Sequence, residues 1–199
     1  MADIFADAVR ARVYCGQLLP GRYGALHGAP GVVVRLRPPA GMALVLARKG
    51  QGAALAARVL AVCGLALPAG PKRVASGDYA AIGMAPGQWL LTGGDGLAAS
   101  LSTGLEGLAS VSDQSDSRAM LRISGTGVRQ TLAKGVPIDL HPARFGPGDV
   151  AATMVSLVSA WIWQLDEAPT YEISVPRSMA GSFAHWLTAS AAEFGMEVG

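Results

Sequence analysis

The sequence is short of charge: Asp, Glu, Lys and Arg make up 15% of it, where globular chains carry roughly 25%. A chain this weakly charged and 51% hydrophobic would collapse rather than stay solvated, which excludes intrinsic disorder. Cysteine is scarce too. Cys15 and Cys63 stand alone, with no Cys-x-x-Cys or Cys/His cluster near either, so neither a disulfide framework nor a zinc site is expected. Cys63 falls in a helical apolar pattern and reads as a small packed hydrophobe. Long apolar runs are also missing. The longest uncharged stretches, 79–94 and 150–165, have 16 residues each, against the roughly 20 a spanning helix needs. Pro86 breaks the first, and Thr153, Ser156, Ser159 and Gln164 interrupt the second. No membrane span is expected. Residues 1–10 carry Asp3 and Asp7 without an apolar core of signal-peptide length, and a cytoplasmic protein is expected.

Carboxylates are absent from a long stretch, with none between Asp7 and Asp78. Residues 1–77 therefore carry a net charge of +8 and residues 78–199 a net charge of −6, although the whole chain has only +2. Such a split marks a basic segment that meets an acidic surface: nucleic acid, another subunit, or the acidic half of the same chain. Nucleic acid fits least. The chain has only three lysines, and Arg35 and Arg37 alternate with Val34 and Leu36 as on the outer face of a strand. The 8–77 segment is expected to dock on an acidic partner surface.

What is present is a run of short periodic elements. The first 30 residues hold turn chemistry without periodicity, at Leu18-Leu19-Pro20-Gly21 and Gly28-Ala29-Pro30-Gly31. Residues 32–37 and 42–47 predict two strands joined through Pro38-Pro39-Ala40-Gly41, and 53–63 a helix closed by Gly64. The Pro/Gly-rich stretch 68–71 is the expected boundary. Beyond it, 79–84 and 88–92 read as a hairpin, 97–108 as a helix, 118–124 as a cleanly alternating strand and 128–134 as a helix. Residues 150–158, 161–165 and the alternation of Tyr171, Ile173 and Val175 give three more strands. A final helix runs between Ser178, its expected cap, and Gly195. The order predicts an α+β fold with a largely antiparallel sheet and helices packed on it. Its expected division is a basic arm with small strand and helix elements over 1–69 and an α+β domain over 70–199.

The densest polar segment lies on a predicted loop, where functional side chains concentrate. Lys134, Asp139, His141 and Arg144 fall within eleven residues there. A histidine near an aspartate can act as a base, and Lys with Arg can hold a carboxylate or phosphate. The alternative is a structural loop in which Asp139 and His141 satisfy backbone groups and Arg144 pairs with a carboxylate. Ser124-Gly125-Thr126-Gly127 between a strand and a helix has the setting of a dinucleotide loop. Gln130 replaces its third glycine, however, and a tight strand-to-helix turn explains both glycines. Residues 112–117 lack EF-hand spacing. Asp166-Glu167 has no nucleophile nearby, and His27 and His185 stand alone. Trp161 and Trp163 share one strand face and read as packing. No catalytic triad, Gly-x-Ser-x-Gly elbow or P-loop occurs.

Eight phrases in order carry a resemblance: Gly70-Pro71-Lys72-Arg73-Val74, Gly87-Gln88-Trp89-Leu90-Leu91, Asp113-Gln114-Ser115, the stretch 121–135, Ile138-Asp139-Leu140-His141-Pro142 with Phe145, Gly148-Asp149-Val150-Ala151, Leu165-Asp166-Glu167-Ala168-Pro169-Thr170 and Val175-Pro176-Arg177-Ser178. Over roughly residues 50–199 the chain resembles the sarcosine oxidase gamma-subunit family. Val136 departs from it, at a position where many relatives have cysteine. The resemblance implies a domain like the folded core of the folate-binding aminomethyltransferases, here without catalytic residues of its own. It implies a non-catalytic subunit of a heterotetrameric flavoenzyme that oxidises the N-methyl group of sarcosine, with alpha, beta and delta subunits as partners. FAD, FMN, NAD, zinc and tetrahydrofolate would then belong to those subunits, and Lys134, Asp139, His141 and Arg144 would make ligand or subunit contacts. The equivalent small subunit of N-methylglutamate dehydrogenase, and a stand-alone folate-dependent one-carbon binding protein, are the alternatives. Neither nucleic acid nor membrane is an expected partner.

Overall fold

Alternation of apolar and polar residues over 118–124 produces a strand whose Ala119, Leu121 and Ile123 are buried. It is β8 (Arg118–Ser124) in a computed structural model that describes residues 18–37 and 41–199. The other strands are β1 (Gly21–Tyr23), β2 (Val32–Leu36), β3 (Gly41–Ala47), β4 (Arg73–Ser76), β5 (Tyr79–Ala85), β6 (Gln88–Gly93), β7 (Ala109–Asp113), β9 (Val150–Val155), β10 (Val158–Asp166), β11 (Thr170–Pro176) and β12 (Met196–Val198). Helices α1 (Gly52–Cys63), α2 (Leu97–Gly104), α3 (Val128–Ala133) and α4 (Ala180–Ala191) separate them. The fold is α+β with mostly antiparallel pairing, as the order of elements predicts.

The described residues form two units. One comprises residues 18–37, 117–147 and 152–199, and the other residues 41–116 and 148–151. In the first, the sheet runs β1-β12-β2-β8-β11-β10-β9. One face of this sheet carries Val32, Val34, Leu121, Ile123, Tyr171, Ile173 and Val175, all buried. Helix α4 adds Phe183, Leu187 and Ala191 to that core, and α3 adds Val128 and Leu132. The second unit has the sheet β4-β5-β6-β3-β7. There β6 and β7 flank β3, each antiparallel to it, so the β6–α2–β7 crossover joins two parallel strands. Leu55, Val59 and Cys63 of α1 pack with Ala43, Val45, Leu91 and Leu101. Burial also raises the Cys63 thiol above its ordinary pKa.

Three expectations need correction. The division at 69/70 falls inside the second unit, because β3 and α1 are bound to β6, β7 and α2. The Pro/Gly run at 68–71 is a loop within that unit: Trp89 Nε1 donates to Pro68 O at 2.8 Å, and Val150 N donates to Pro71 O at 3.0 Å. The strands expected on either side of Pro38-Pro39 both form but enter different sheets; residues 1–17 and 38–40 of the expected arm, with Cys15, lie outside the described residues. Ser178 does not cap the last helix. It sits in a 3-10 turn, Arg177–Met179, and α4 starts without a side-chain cap. Gly195 does end the helical segment, at φ +67 and ψ 129, a positive-φ conformation open to glycine because it has no Cβ.

Candidate functional site

The four loop residues picked from the sequence separate in space and in role. Lys134 follows α3 directly. Its Nζ donates to Ser190 O at 2.5 Å, pairs with Glu193 Oε1 at 2.5 Å and lies 5.1 Å from the centre of the Phe194 ring. A cation at carbonyls near a helix C-terminus is favourable there, so Lys134 ties the end of α3 to the end of α4. Asp139 Oδ1 accepts the His141 backbone N–H at 2.9 Å, and His141 Nδ1 accepts the Ala143 N–H at 3.2 Å. Both side chains thus serve the backbone of their own loop, and no Asp–His hydrogen bond forms between them. Arg144 is exposed and makes no ion pair among the described residues. The structural alternative therefore describes Asp139 and His141, while no carboxylate partner of Arg144 occurs among the described residues.

Asp139 and His141 do line an open cleft of about 440 Å³, together with Arg129 and Gln130 of α3 and the apolar side chains of Val136, Ile138 and Leu140. Arg129 Nε donates to the buried Tyr171 hydroxyl at 3.1 Å, and Phe145 stacks on the same ring with centroids 6.4 Å apart. Burial raises the Tyr171 pKa, and the hydrogen bond and charge of Arg129 act in the opposite direction.

The glycine turn at 124–127 holds no phosphate cradle. Gly125 has φ +117, and a Cβ there would come 2.3 Å from Gly31 O. The Gly127 N–H donates to that same carbonyl at 2.8 Å, and a Cβ on Gly127 would meet the Phe194 ring at 2.8 Å. Close packing by residues of the chain itself requires both glycines. Among the described residues no group of three or more His, Cys, Asp or Glu side chains could hold a metal ion, and no helix is long and apolar enough to cross a membrane.

A second constellation was missed by sequence reasoning. It lies on the face of the first unit's sheet opposite Tyr171. Register places Arg122 opposite Glu172, Glu172 opposite Trp163, and Ser174 opposite Trp161. Glu172 is buried at 3% exposure. Its Oε1 accepts Arg122 Nη2 at 2.7 Å and Nε at 3.2 Å, with Arg37 Nε at 3.5 Å. Its Oε2 accepts the Trp163 indole N–H at 2.9 Å. Beside this network the Arg118 guanidinium lies over the Trp161 ring at 3.5 Å and donates to Ser174 Oγ at 2.7 Å and Ser174 O at 2.8 Å. Burial without a carboxylate partner pulls its pKa down to about 10. The two tryptophans are therefore polar partners as well as packing groups. The available signal was one carboxylate, Glu172, in an otherwise uncharged strand, set against arginines alternating on β2 and β8.

The pairing also explains part of the lopsided charge. Arg37–Glu172, Arg35–Glu197 at 3.9 Å and Lys72–Asp149 each join the basic 1–77 portion to the acidic remainder. The same chain's acidic half is thus one of the surfaces that the basic segment meets.

Comparison with known proteins adds to this geometry. No curated protein matches the chain. Among solved structures, it is similar to a chain of heterotetrameric sarcosine oxidase from Corynebacterium sp. U-96 in complex with pyrrole 2-carboxylate. That likeness has 24% identity and a TM-score of 0.75, and covers 96% of this chain and 93% of that one. Aminomethyltransferase T of the glycine cleavage system from Bartonella henselae is similar at 15% identity and a TM-score of 0.61, over 87% of this chain and 49% of its own length. These two likenesses establish the fold. The family model of the sarcosine oxidase gamma subunit matches residues 49–193, most of the sequence. The chain belongs to the sarcosine oxidase gamma subunit family.

Proposed function

We propose that this chain is the non-catalytic gamma subunit of a heterotetrameric, sarcosine oxidase-type flavoenzyme and that it stabilises the assembly. The observation that carries this is the family match over residues 49–193. The engagement of Lys134, Asp139 and His141 in contacts within the chain supports it, since none of them is poised as an acid, base or nucleophile. FAD, FMN, NAD, zinc and tetrahydrofolate are assigned to the alpha, beta and delta subunits, where they would supply oxidation of the N-methyl group and transfer of the one-carbon unit. This chain supplies surface: a sheet face whose Arg118 and Arg122 are held by Ser174, Trp161 and Glu172. Co-expression with the flavin-binding subunits tests the proposal. The expected result is stoichiometric co-purification, with sarcosine oxidation by the assembled complex. Sarcosine oxidation by the chain alone would overturn the non-catalytic role. Turnover of N-methylglutamate in place of sarcosine would make the complex the related dehydrogenase.

One observation favours a second reading, folate-type ligand binding: the cleft beside Asp139 and His141 in a fold shared with an aminomethyltransferase. Calorimetric titration of the chain with tetrahydrofolate decides it. Saturable binding abolished by Asp139→Ala would establish this reading, and the absence of heat would end it.

A further inference from the structure

The strand face that carries Glu172 holds more positive charge than its own carboxylates neutralise. Arg35 on β2 stands directly opposite Arg122 on β8, and like charges at opposed cross-strand positions repel unless an anion lies between them. Among the described residues two carboxylates, Glu172 and Glu197, are available on this face. Glu172 takes both Arg122 and Arg37, and Glu197 approaches Arg35 no closer than 3.9 Å. Arg118 has neither. Its contacts are the neutral Ser174 and the Trp161 ring, and burial has already lowered its proton affinity. Among the described residues, the guanidinium groups of Arg35, Arg37, Arg118 and Arg122 thus share Glu172 and Glu197, while Arg22 on β1, opposite Glu197, donates to the Ala25 and Gly28 carbonyls.

We propose that this arginine face receives an acidic segment of a neighbouring protein subunit, with Arg118 as its principal contact. The proposal rests on the reading of the chain as one subunit of a larger assembly. Charge complementarity names the occupant, and the layout of the cations gives its shape. Arg118 and Arg122 are four residues apart on one strand, roughly 13 Å at about 3.3 Å per residue, while Arg35 lies one strand away at about 5 Å. A row of carboxylates along an extended or helical segment matches that spread. A single small carboxylate would reach only one end of it, and small ligands favour concave sites over a sheet face. The side chains suit an interface. Arginine is weakly hydrated and binds carboxylates through two parallel hydrogen bonds. Stacking on Trp161 and the Ser174 bonds fix Arg118 in advance, so little rotamer freedom is lost on docking. Arg35, half-exposed at 51%, would guide encounter more than it holds the complex.

The test measures affinity of the full-length chain for the co-expressed flavoprotein subunits, by biolayer interferometry at about 50 and 300 mM salt. The proteins compared are wild type, Arg118→Gln, and Arg35→Gln, the last touching only an exposed pair and so leaving the fold intact. Wild-type affinity is expected to fall with salt. Arg118→Gln should weaken binding at least tenfold and Arg35→Gln about threefold, chiefly through a slower on-rate, each with a shallower salt dependence. Wild-type binding with both variants unchanged would overturn the surface and leave the subunit reading standing. A wild-type chain that binds no flavoprotein subunit would overturn both. Salt-sensitive binding of a single-stranded oligonucleotide at the same affinity, lost in the same variants, would overturn the acidic protein as occupant.

Discussion

Replacing Glu172 with glutamine removes one charge from the most densely bonded polar group described. The carboxylate is buried and accepts from Trp163 and twice from Arg122. Glutamine has the same shape, so no cavity forms. It keeps one acceptor oxygen and turns the other position into a donor, which must then face the indole N–H or a guanidinium. Loss of a charge-assisted hydrogen bond costs roughly 1.5–3 kcal/mol, and an unsatisfied buried donor roughly 1–3 kcal/mol. Breaking a wholly buried ion pair costs about 3–5 kcal/mol. Here the freed cations have relief, because the Arg122 and Arg37 side chains are 37% and 45% exposed and can turn to water. The expected destabilisation is therefore about 3 kcal/mol, at the lower edge of the buried-pair range. At roughly 2–4 °C per kcal/mol for a chain of this size, Tm should fall by about 6–12 °C. Trp163→Phe should cost about 2 kcal/mol, and the double variant should be less than additive by about 1–2 kcal/mol, since both changes delete one bond. Glu197→Gln is the control: its pair with Arg35 is loose and half-exposed, and the cost should stay below about 0.5 kcal/mol. Denaturant titrations followed by tryptophan fluorescence and circular dichroism measure all four. Equal stability of the Glu172→Gln and Glu197→Gln variants would refute the reasoning, because burial would then make no difference to the pair.

Other outcomes follow from single contacts. Gly125→Ala should cost about 3 kcal/mol or more, since its φ of +117 and the Gly31 carbonyl at 2.3 Å both exclude a Cβ; a normal Tm would show that the turn relaxes. The Ser115 hydroxyl and N–H both donate to Asp113 Oδ1 and hold its carboxyl below the ordinary aspartate pKa. A lowered carboxyl pKa adds stability above the unfolded value that is lost as pH falls through the folded one. Ser115→Ala should move the Asp113 midpoint upward in an NMR titration, and an unchanged midpoint would contradict the assignment. Tyr171 has a raised pKa from burial, so above the ordinary tyrosine value the unfolded chain ionises first and stability falls as pH rises. Tyr171→Phe should remove that alkaline slope while costing about 1 kcal/mol at neutral pH for the Arg129 hydrogen bond, as read by denaturation at neutral and alkaline pH.

Where local chemistry decides structure, the sequence was legible. Alternation predicted β8 at its observed bounds, Gly64 ends α1 in the left-handed conformation, and the ordered phrases pointed to the family whose model matches. Elements that exist only through distant partners were not visible. The short strands β4, β7 and β12 have weak patterns of their own and are held by β5, β3 and β2. The two-unit division escaped for the same reason: a Pro/Gly cluster signals a loop, and only pairing shows whether a loop lies within a unit or between two. The candidate site divides similarly. Asp139, His141 and Arg144 were conspicuous because they are close in sequence, yet two of them serve their own loop. Glu172, Arg122, Arg37 and Trp163 were inconspicuous because 135 residues separate Arg37 from Glu172, and only sheet register brings them together. The alternation of Arg35 and Arg37 predicts the outer face of a strand, and only the neighbouring strands show what that face holds.

The most direct test of a structural gamma subunit is what the native chain carries when isolated at low salt through an affinity tag. The predicted result is one discrete species, with larger flavin-containing subunits in fixed stoichiometry and flavin absorbance that follows the tag through size exclusion. A stable monomer, free of flavin and of larger subunits yet oxidising sarcosine by itself, would contradict it.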